Sequence, residues 1–369
     1  MPPFEPLPLP PAELDYVRLL PLIGKANRAV AALEGTYYGL LNPNVVLSPI
    51  TTQEAVLSSK IEGTQANLED VLKFEAGEEP AGEERRHDIY EIINYRKALR
   101  VSEQLLKEKP FCLNTLLRLH QELMDSVRGF DKSRGKFRTI QNWIGKANTP
   151  IEQAAFIPPS PLRLQEHLNQ WEAYWHSDAP DVFVQLALIH AQFEIIHPFL
   201  DGNGRIGRMI IPLFLFEKKI LSQPCFYLSE YLEANRDTYI EHLRTLGSPG
   251  SWHAWVTFFL NAVAVQAEAN AAKARSIQDL YERLKREVLT ATHSQFGMVV
   301  LDFMFQRPIF RSSDLNEVPD MPSVPVILSI LSKLKSKGIL TVVRQGAGRR
   351  AQVLALAELL NLCEGKKVF

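Results

Sequence analysis

HPFLDGNGRIGR, the stretch from His197 to Arg208, decides how this chain is read. The residues before it, VFVQLALIHAQFEII (182–196), are apolar almost without interruption, and their helix must end near His197 because Pro198 disfavours helical conformation in the residue preceding it. A second helix, RIGRMIIPLFLFEKK, begins near Arg205. Between the two, Gly202 and Gly204 are free to adopt positive φ, so that successive amides can turn inward as an anion-binding nest at a helix N-terminus. No GxxxxGK[ST] loop occurs, and the cations at this nest are Arg205 and Arg208.

The other residue types then have tasks. Asp201 is a hard oxygen ligand beside a phosphate nest, where Mg²⁺ binds through one or two carboxylates plus substrate phosphates. His197 titrates near neutrality and is placed to take a proton from an incoming hydroxyl. Arg208, one helical turn further on, reaches the outermost phosphate. These are the parts of phosphoryl or nucleotidyl transfer, which runs on positioning and electrostatics. A rival chemistry takes His190, Glu194 and His197 as a metal cluster, since offsets of four and seven share one helix face. The glutamate does not stand where HExxH hydrolases need it, and His190 is more simply a packed residue.

Outward from this centre the chain is mainly α. Helical spacing recurs in YVRLLPLIGKANRAVAALEG (16–35), TQEAVLSSKIEGTQANLEDVL (52–72), LLRLHQELMDSV (116–127) and LQEHLNQWEAYWH (164–176). A Pro/Asn loop is read over 41–49, with Thr51 or Thr52 as the N-cap that follows it. The acidic run 75–84 reads as a solvated loop, and the proline-rich first ten residues as an extended strap. GKFRTIQNWIGKANTPIEQAAFIPPSP (135–161) has β-branched and aromatic residues on both sides of a Gly/Asn/Pro turn. It reads as a β-hairpin, either a surface loop or a flap over a cleft. A linker helix (266–291) leads to helix, short helix, longer helix and two strands joined by GAGRR, the order of a winged helix.

HPFLDGNGRIGR matches every defined position of the Fic motif, HPFx[DE]GN[GK]RxxR, and the chain resembles a bacterial Fic protein over nearly its full length. The resemblance implies a Fic helical core with a β-hairpin flap, ATP with Mg²⁺, and transfer of AMP to a Ser, Thr or Tyr hydroxyl of a target protein or of the chain itself. By motif position His197 resembles the catalytic base and Asp201 the Mg²⁺ ligand. Gly202, Asn203, Gly204 and Arg205 resemble the anion hole, continued by Ile206 and Gly207 to Arg208 at the γ-phosphate. Tyr239 in YLEANRDTYIEHL would line the adenine side, although Ile240 stands where a second Tyr is common. Gln153, Ala154, Ala155 and Phe156 lie where target and nucleotide would dock. SSKIEG fits the inhibitory motif [ST]xxxE[GN], with Ser58 and Glu62 on a helix over about 51–74. The implied layout is an N-terminal helical region (1–105), Fic core (106–265), linker helix and winged-helix domain (292–369). Gly204 agrees with AMP transfer, since relatives that phosphorylate usually carry Lys there. Removal of AMP, another phosphate transfer, or a DNA-binding regulator with a Fic sensor core are the alternatives.

Between Leu331 and Arg350 stand three Lys and three Arg with no acidic residue, a patch suited either to DNA phosphates or to protein docking, a homodimer included. The whole chain carries 41 basic and 42 acidic side chains among 369 residues, so no global field draws it to nucleic acid or to an anionic membrane. Apolar residues at 46% and charged ones at 22% are those of a globular chain long enough for two or three cores. Cys112, Cys225 and Cys363 fit neither a disulfide framework nor a CxxC site, and read as buried thiols. No signal peptide is recognised and the longest apolar run, 209–216, is too short for a bilayer, which places the chain in the cytoplasm.

Overall fold

The computed structural model describes residues 2–40, 42–125, 133–145, 150–348 and 350–367. In chain order its helices are α1 (Tyr16–Tyr38), α2 (Pro43–Ile61), α3 (Leu68–Glu75), α4 (Glu83–Glu108), α5 (Leu113–Leu123), α6 (Leu164–His176) and α7 (Val182–Ile196). There follow α8 (Asn203–Glu217), α9 (Ser229–Ala234), α10 (Arg236–Thr245), α11 (Ser251–Thr292), α12 (Gly297–Gln306), α13 (Val324–Ser336) and α14 (Ala357–Glu364). Strands β1 (Ile309–Arg311), β2 (Thr341–Arg344) and β3 (Val353–Ala355) form one antiparallel sheet in the order β1-β3-β2. The chain divides into two compact units: Met1–Glu34 with Leu57–Thr64 and Ile93–Ala269, and Gly35–Val56 with Gln65–Ile92 and Asn270–Phe369.

The first unit is built around α7. Thirteen of its 15 residues are buried, as its apolar run requires, and only Val182 and Glu194 are not. Asp181 starts the helix by accepting from the amides of Phe183 and Val184, both at 2.9 Å. Trp171 and Trp255 clasp it from α6 and α11, their indole N–H groups donating to the carbonyls of Ile189 and Ala187. The N-terminal strap carries no helix or strand, and the Phe4 amide donates to Ile157 O at 2.9 Å.

Several local expectations are corrected. The loop read over 41–49 is helical from Pro43, and Thr51 and Thr52 are interior residues whose hydroxyls donate back to Leu47 O and Ser48 O. Proline suits the first turn because its missing N–H is not needed there. Burial of Val45, Val46, Leu47 and Ile50 then carries the helix through Pro49. The helix read across 52–72 breaks at Gly63 (φ +101) and restarts behind the Asn67–Asp70 capping box. Among the described residues the flap hairpin is reduced to one antiparallel bridge, Ile144 to Phe156, because Pro150, Pro158 and Pro159 supply no ladder N–H and Ile151–Gln153 turn as a 3₁₀ helix. Its tip, 146–149, lies outside the described residues.

In the second unit β1 pairs β3 through Ile309↔Ala355 and Arg311↔Val353, while β2 pairs β3 through Thr341↔Ala355 and Val342↔Leu354. Sequence reading found α12, α13, β2 and β3. It missed β1 and α14, and the segment 311–318 holds a 3₁₀ turn, Asp314–Glu317. Three of the six residues of the basic patch are engaged within the unit. Lys333 donates to Thr292 O, Lys335 to Gln352 Oε1, and Arg344 pairs with Glu78 at 2.8 Å. Arg349 lies outside the described residues. Cys363 is buried, whereas Cys112 and Cys225 are partly exposed, a correction to the reading of all three as buried. No helix is long and apolar enough to cross a membrane among the described residues.

Candidate active site

α7 ends at His197 in the left-handed region (φ 49, ψ 61), which turns the chain sharply into Pro198. Asn203 closes the turn on itself, accepting from Phe199 N at 2.9 Å and donating to Phe199 O at 2.8 Å. His120 on α5 supports it from outside, stacked on Phe199 with ring centroids 3.9 Å apart. The Gly135 amide donates to His120 Nδ1, so Nε2 carries the proton and donates to Asp201 O at 3.2 Å. Arg138 ties the flap segment to the same turn. It is 2% exposed and donates to the carbonyls of His197, Ile196 and Pro159, while its amide donates to Pro198 O. Burial lowers its proton affinity to about 10, which leaves it a cation at neutral pH.

The two glycines differ. Gly202 has φ +79, and a Cβ there would meet Met124 Sδ at 3.2 Å and Leu123 Cδ2 at 3.3 Å. Gly204 is an ordinary helical residue of α8, which begins two residues earlier than expected, so positive φ is needed at one position, not two. What Gly204 requires is room, since its Cβ would lie 2.1 Å from Glu62 Oε1. Gly202→Val should therefore cost about 1–3 kcal/mol of folding stability through backbone strain alone and remove nucleotide binding. Urea titration and ATP calorimetry check this; an unchanged variant would show that the turn tolerates a side chain.

A cavity of about 360 Å³ opens beside this turn. Of the residues expected at a site, His197, Gly204, Arg208, Tyr239, Glu62, Ala155 and Phe156 line it. Apolar residues including Ile61, Ile195, Ile240 and Leu243 make much of the remaining wall. Gln153, Ala154, Ser58, Asp201, Gly202, Asn203, Arg205, Ile206 and Gly207 do not line it. Ile206 is core, Gly207 O accepts from His190 Nδ1 at 3.0 Å, and Ser58 acts through Arg208. Asp201 Oδ1 accepts from Gly202 N at 2.7 Å and lies 3.5 Å from Arg205 Nη2.

Arg208 is 2% exposed and bonded to the end of α2. Its Nε donates to Ser58 Oγ and its Nη2 to Ser58 O, each at 2.8 Å, and Nη2 also meets Glu62 Oε1 at 2.7 Å. Glu62 follows the last residue of α2, an end fixed by Lys60–Glu233 (2.8 Å) and by Arg236 Nε donating to Ile61 O. Burial works against the Glu62 charge, but Arg208, with Arg205 helping, holds its proton affinity below the usual carboxylate range.

His197 Nδ1 faces Glu194 O at 3.3 Å. A carbonyl only accepts, so Nδ1 carries the proton and Nε2 keeps its lone pair. Burial lowers His197 to about 4, and it lowers His120 to about 4 and His190 to about 3. His190 is a packed residue, bonded to Gly207 O and to the Tyr239 hydroxyl, and among the described residues no three His, Cys, Asp or Glu side chains form a metal-holding group. These imidazoles must stay neutral in the fold, whereas in the unfolded chain they protonate at about 6.5. Stability is then complete above that value and declines as pH falls toward 4, because the unfolded state binds protons first. Glu194, lifted to about 8 by burial, works the other way over this range, so the comparison is made in Glu194→Gln, whose urea midpoint should be lower at pH 5.5 than at pH 7; equal midpoints there would mean that the rings are not held neutral.

Residues 20–104 match the Fic/DOC family N-terminal pattern and residues 110–215 the Fic/DOC family pattern itself. The chain belongs to the Fic/DOC family. It is 26% identical over 203 residues to a probable protein adenylyltransferase of Aquifex aeolicus, covering 52% of this chain and 56% of that one. It is also 26% identical over 129 residues to the protein adenylyltransferase Fic of Drosophila ananassae, covering 34% and 24%. The Fic chain thus spans little more than half of the first relative's length and a quarter of the second's. In fold it is similar to a Fic family protein from Desulfovibrio desulfuricans G20, with a TM-score of 0.57 at 18% identity, covering 91% of this chain and 96% of that one. A Fic-1 fragment from C. elegans superposes with a TM-score of 0.53 at 19% identity, covering 72% and 75%.

Arg138 and His120 were missed by sequence reading. Their contacts with the turn span 59 and 81 residues, and neither belongs to a local motif.

Proposed function

We propose that this Fic protein is a protein adenylyltransferase that moves AMP from ATP to a hydroxyl of a protein, with His197 as the base and Glu62 as its restraint. The observation that carries the reading is the placement of His197, with its Nε2 lone pair, on the same cavity wall as Arg208. The target hydroxyl oxygen attacks the α-phosphorus and its proton passes to His197 Nε2. The bond to pyrophosphate breaks, and the leaving charge is met by Arg208 and the N-terminus of α8. Because burial keeps His197 neutral at physiological pH, the base is ready before substrate arrives. Tyr239 and the apolar wall take the adenine, and Ala155 and Phe156 face the incoming protein. The donor set fits Mg²⁺, since Asp201 offers a one-third-exposed carboxylate beside the proposed phosphate site. Bound there with the nucleotide, the ion would neutralise phosphate charge.

Residues 292–369 are proposed as a winged-helix module beside an N-terminal helical region and a Fic core. No observation favours DNA as its partner. Intact-mass measurement of the purified chain and its Glu62→Gly variant after incubation with Mg²⁺-ATP tests the activity, alongside label transfer to a lysate. A gain of AMP is expected. A gain of phosphate alone, or label on no protein, would overturn the reading.

A further inference from the structure

Glu194 is the carboxylate that the function above does not use. It stands on α7, where every other residue but Val182 is buried, and it reaches the cavity wall beside His197 and Arg208. Among the described residues its Oε1 is buried and finds no hydrogen-bond partner. That oxygen rests on α8 where only a glycine allows it, because a Cβ on Gly207 would lie 2.1 Å away. The groups facing it are Arg208 on α8, Glu62 beyond α2 and Tyr239 on α10, with His190 and His197 on its own helix. Arg208 bonds Ser58 and Glu62, and the other guanidinium groups lining the cavity, Arg236 and Arg244, bond Ile61 O and Glu241, so among the described residues Glu194 is a second carboxyl that no guanidinium bonds.

We propose that Glu194, in its neutral form, donates a hydrogen bond to a phosphate oxygen of the bound nucleotide and thereby sets nucleotide affinity, an inference that rests on the nucleotide-site reading above. A neutral carboxyl has one O–H to give, and a phosphate oxygen is an acceptor with negative charge. Two like charges in a confined site do not both persist, so a nucleotide arriving there strengthens the hold of Glu194 on its proton. The free protein is already poised for this. Burial lifts Glu194 to about 8, with Arg208 opposing the shift and Glu62 adding to it.

The facing groups leave a clear window for the test. His197 and His190 lie near 4 and 3, Glu62 is held low and Tyr239 is pushed well above its usual value. The second ionisation of phosphate, at about 6, is complete by pH 7.5. Between pH 7.5 and 9.5 Glu194 is therefore the facing carboxyl that titrates. The experiment is calorimetry of Mg²⁺-ATP binding to the full chain at pH 7.5, 8.5 and 9.5, each in two buffers of different ionisation enthalpy. The parent, Glu194→Gln and Glu194→Ala are compared, with urea midpoints to show that each is folded.

The parent should take up a fraction of a proton on binding at pH 8.5, and its affinity should fall towards tenfold per pH unit at the alkaline end. Glu194→Gln, which keeps an N–H donor and cannot ionise, should bind at pH 7.5 nearly as well as the parent, with no uptake and no fall. Glu194→Ala should bind more weakly than Glu194→Gln. Equal proton uptake by parent and Glu194→Gln, or equal affinity of the Gln and Ala variants, overturns the proposal while leaving adenylyl transfer standing. Absence of ATP binding by the parent and by Glu62→Gly removes the nucleotide site itself, and the proposal with it.

Discussion

His197→Ala should lower AMP transfer by about 10²–10⁴-fold while leaving ATP affinity close to that of the parent. The imidazole is oriented by its own backbone neighbourhood, with Nδ1 on Glu194 O, and it meets the hydroxyl rather than the nucleotide. The groups proposed to hold phosphate, Arg208 and the start of α8, are fixed by other contacts and stay in place when the ring is removed. One complication comes from the backbone. Position 197 has φ 49, which is uncomfortable for alanine, so His197→Asn, a residue that tolerates the left-handed region, is the better-behaved partner variant. Both should fail in labelled AMP incorporation and both should bind ATP. A variant that transfers AMP at nearly the parental rate would remove His197 from the chemistry.

The turn was legible because its causes are local. Pro198 ends a helix and Gly202 accepts a positive φ through short-range sterics, so twelve consecutive residues carry their own geometry. The same local logic misplaced the start of α2, where the burial of Val45, Val46 and Ile50 overrides a proline and asparagine signal that normally marks a loop. It also gave Gly204 the wrong reason for being glycine. The left-handed turn uses only Gly202, and Gly204 is small because Glu62, 142 positions earlier in the chain, approaches within reach of its missing Cβ. Arg138 and His120 were illegible for a related cause: a side chain that donates to a carbonyl 59 or 81 residues away leaves no periodicity and no spacing in the sequence. What a single chain can reveal of a site is the part held by its own neighbours.

Glu62→Gly should raise AMP transfer, self-modification included, far more than it changes ATP affinity. In the parent the Glu62 carboxylate lies 2.7 Å from Arg208 Nη2 and fills the space over Gly204, so a terminal phosphate finds its proposed cation taken and its approach to α8 obstructed. ATP can still bind through adenine and the inner phosphates, but with the α-phosphorus turned from attack. Reaction rates are steeply sensitive to such misplacement, whereas binding is not. The restraint is held in place from outside the ion pair by Lys60–Glu233 and by Arg236 on Ile61 O, so its release demands removal of the carboxylate or a movement of this helix end. Glu62 also faces the cavity with His197, where it could position a water for the reverse reaction, and its loss would then raise net modification by slowing AMP removal. The two routes separate on pre-labelled protein: a parent that strips AMP while Glu62→Gly does not supports the second. Radiolabelled incorporation by parent, Glu62→Gly and Glu62→Gly with His197→Ala, set beside ATP affinity by calorimetry, decides the main point. Equal incorporation by parent and Glu62→Gly would end the inhibitory reading, and label retained in the double variant would show that His197 is not the base that Glu62 restrains.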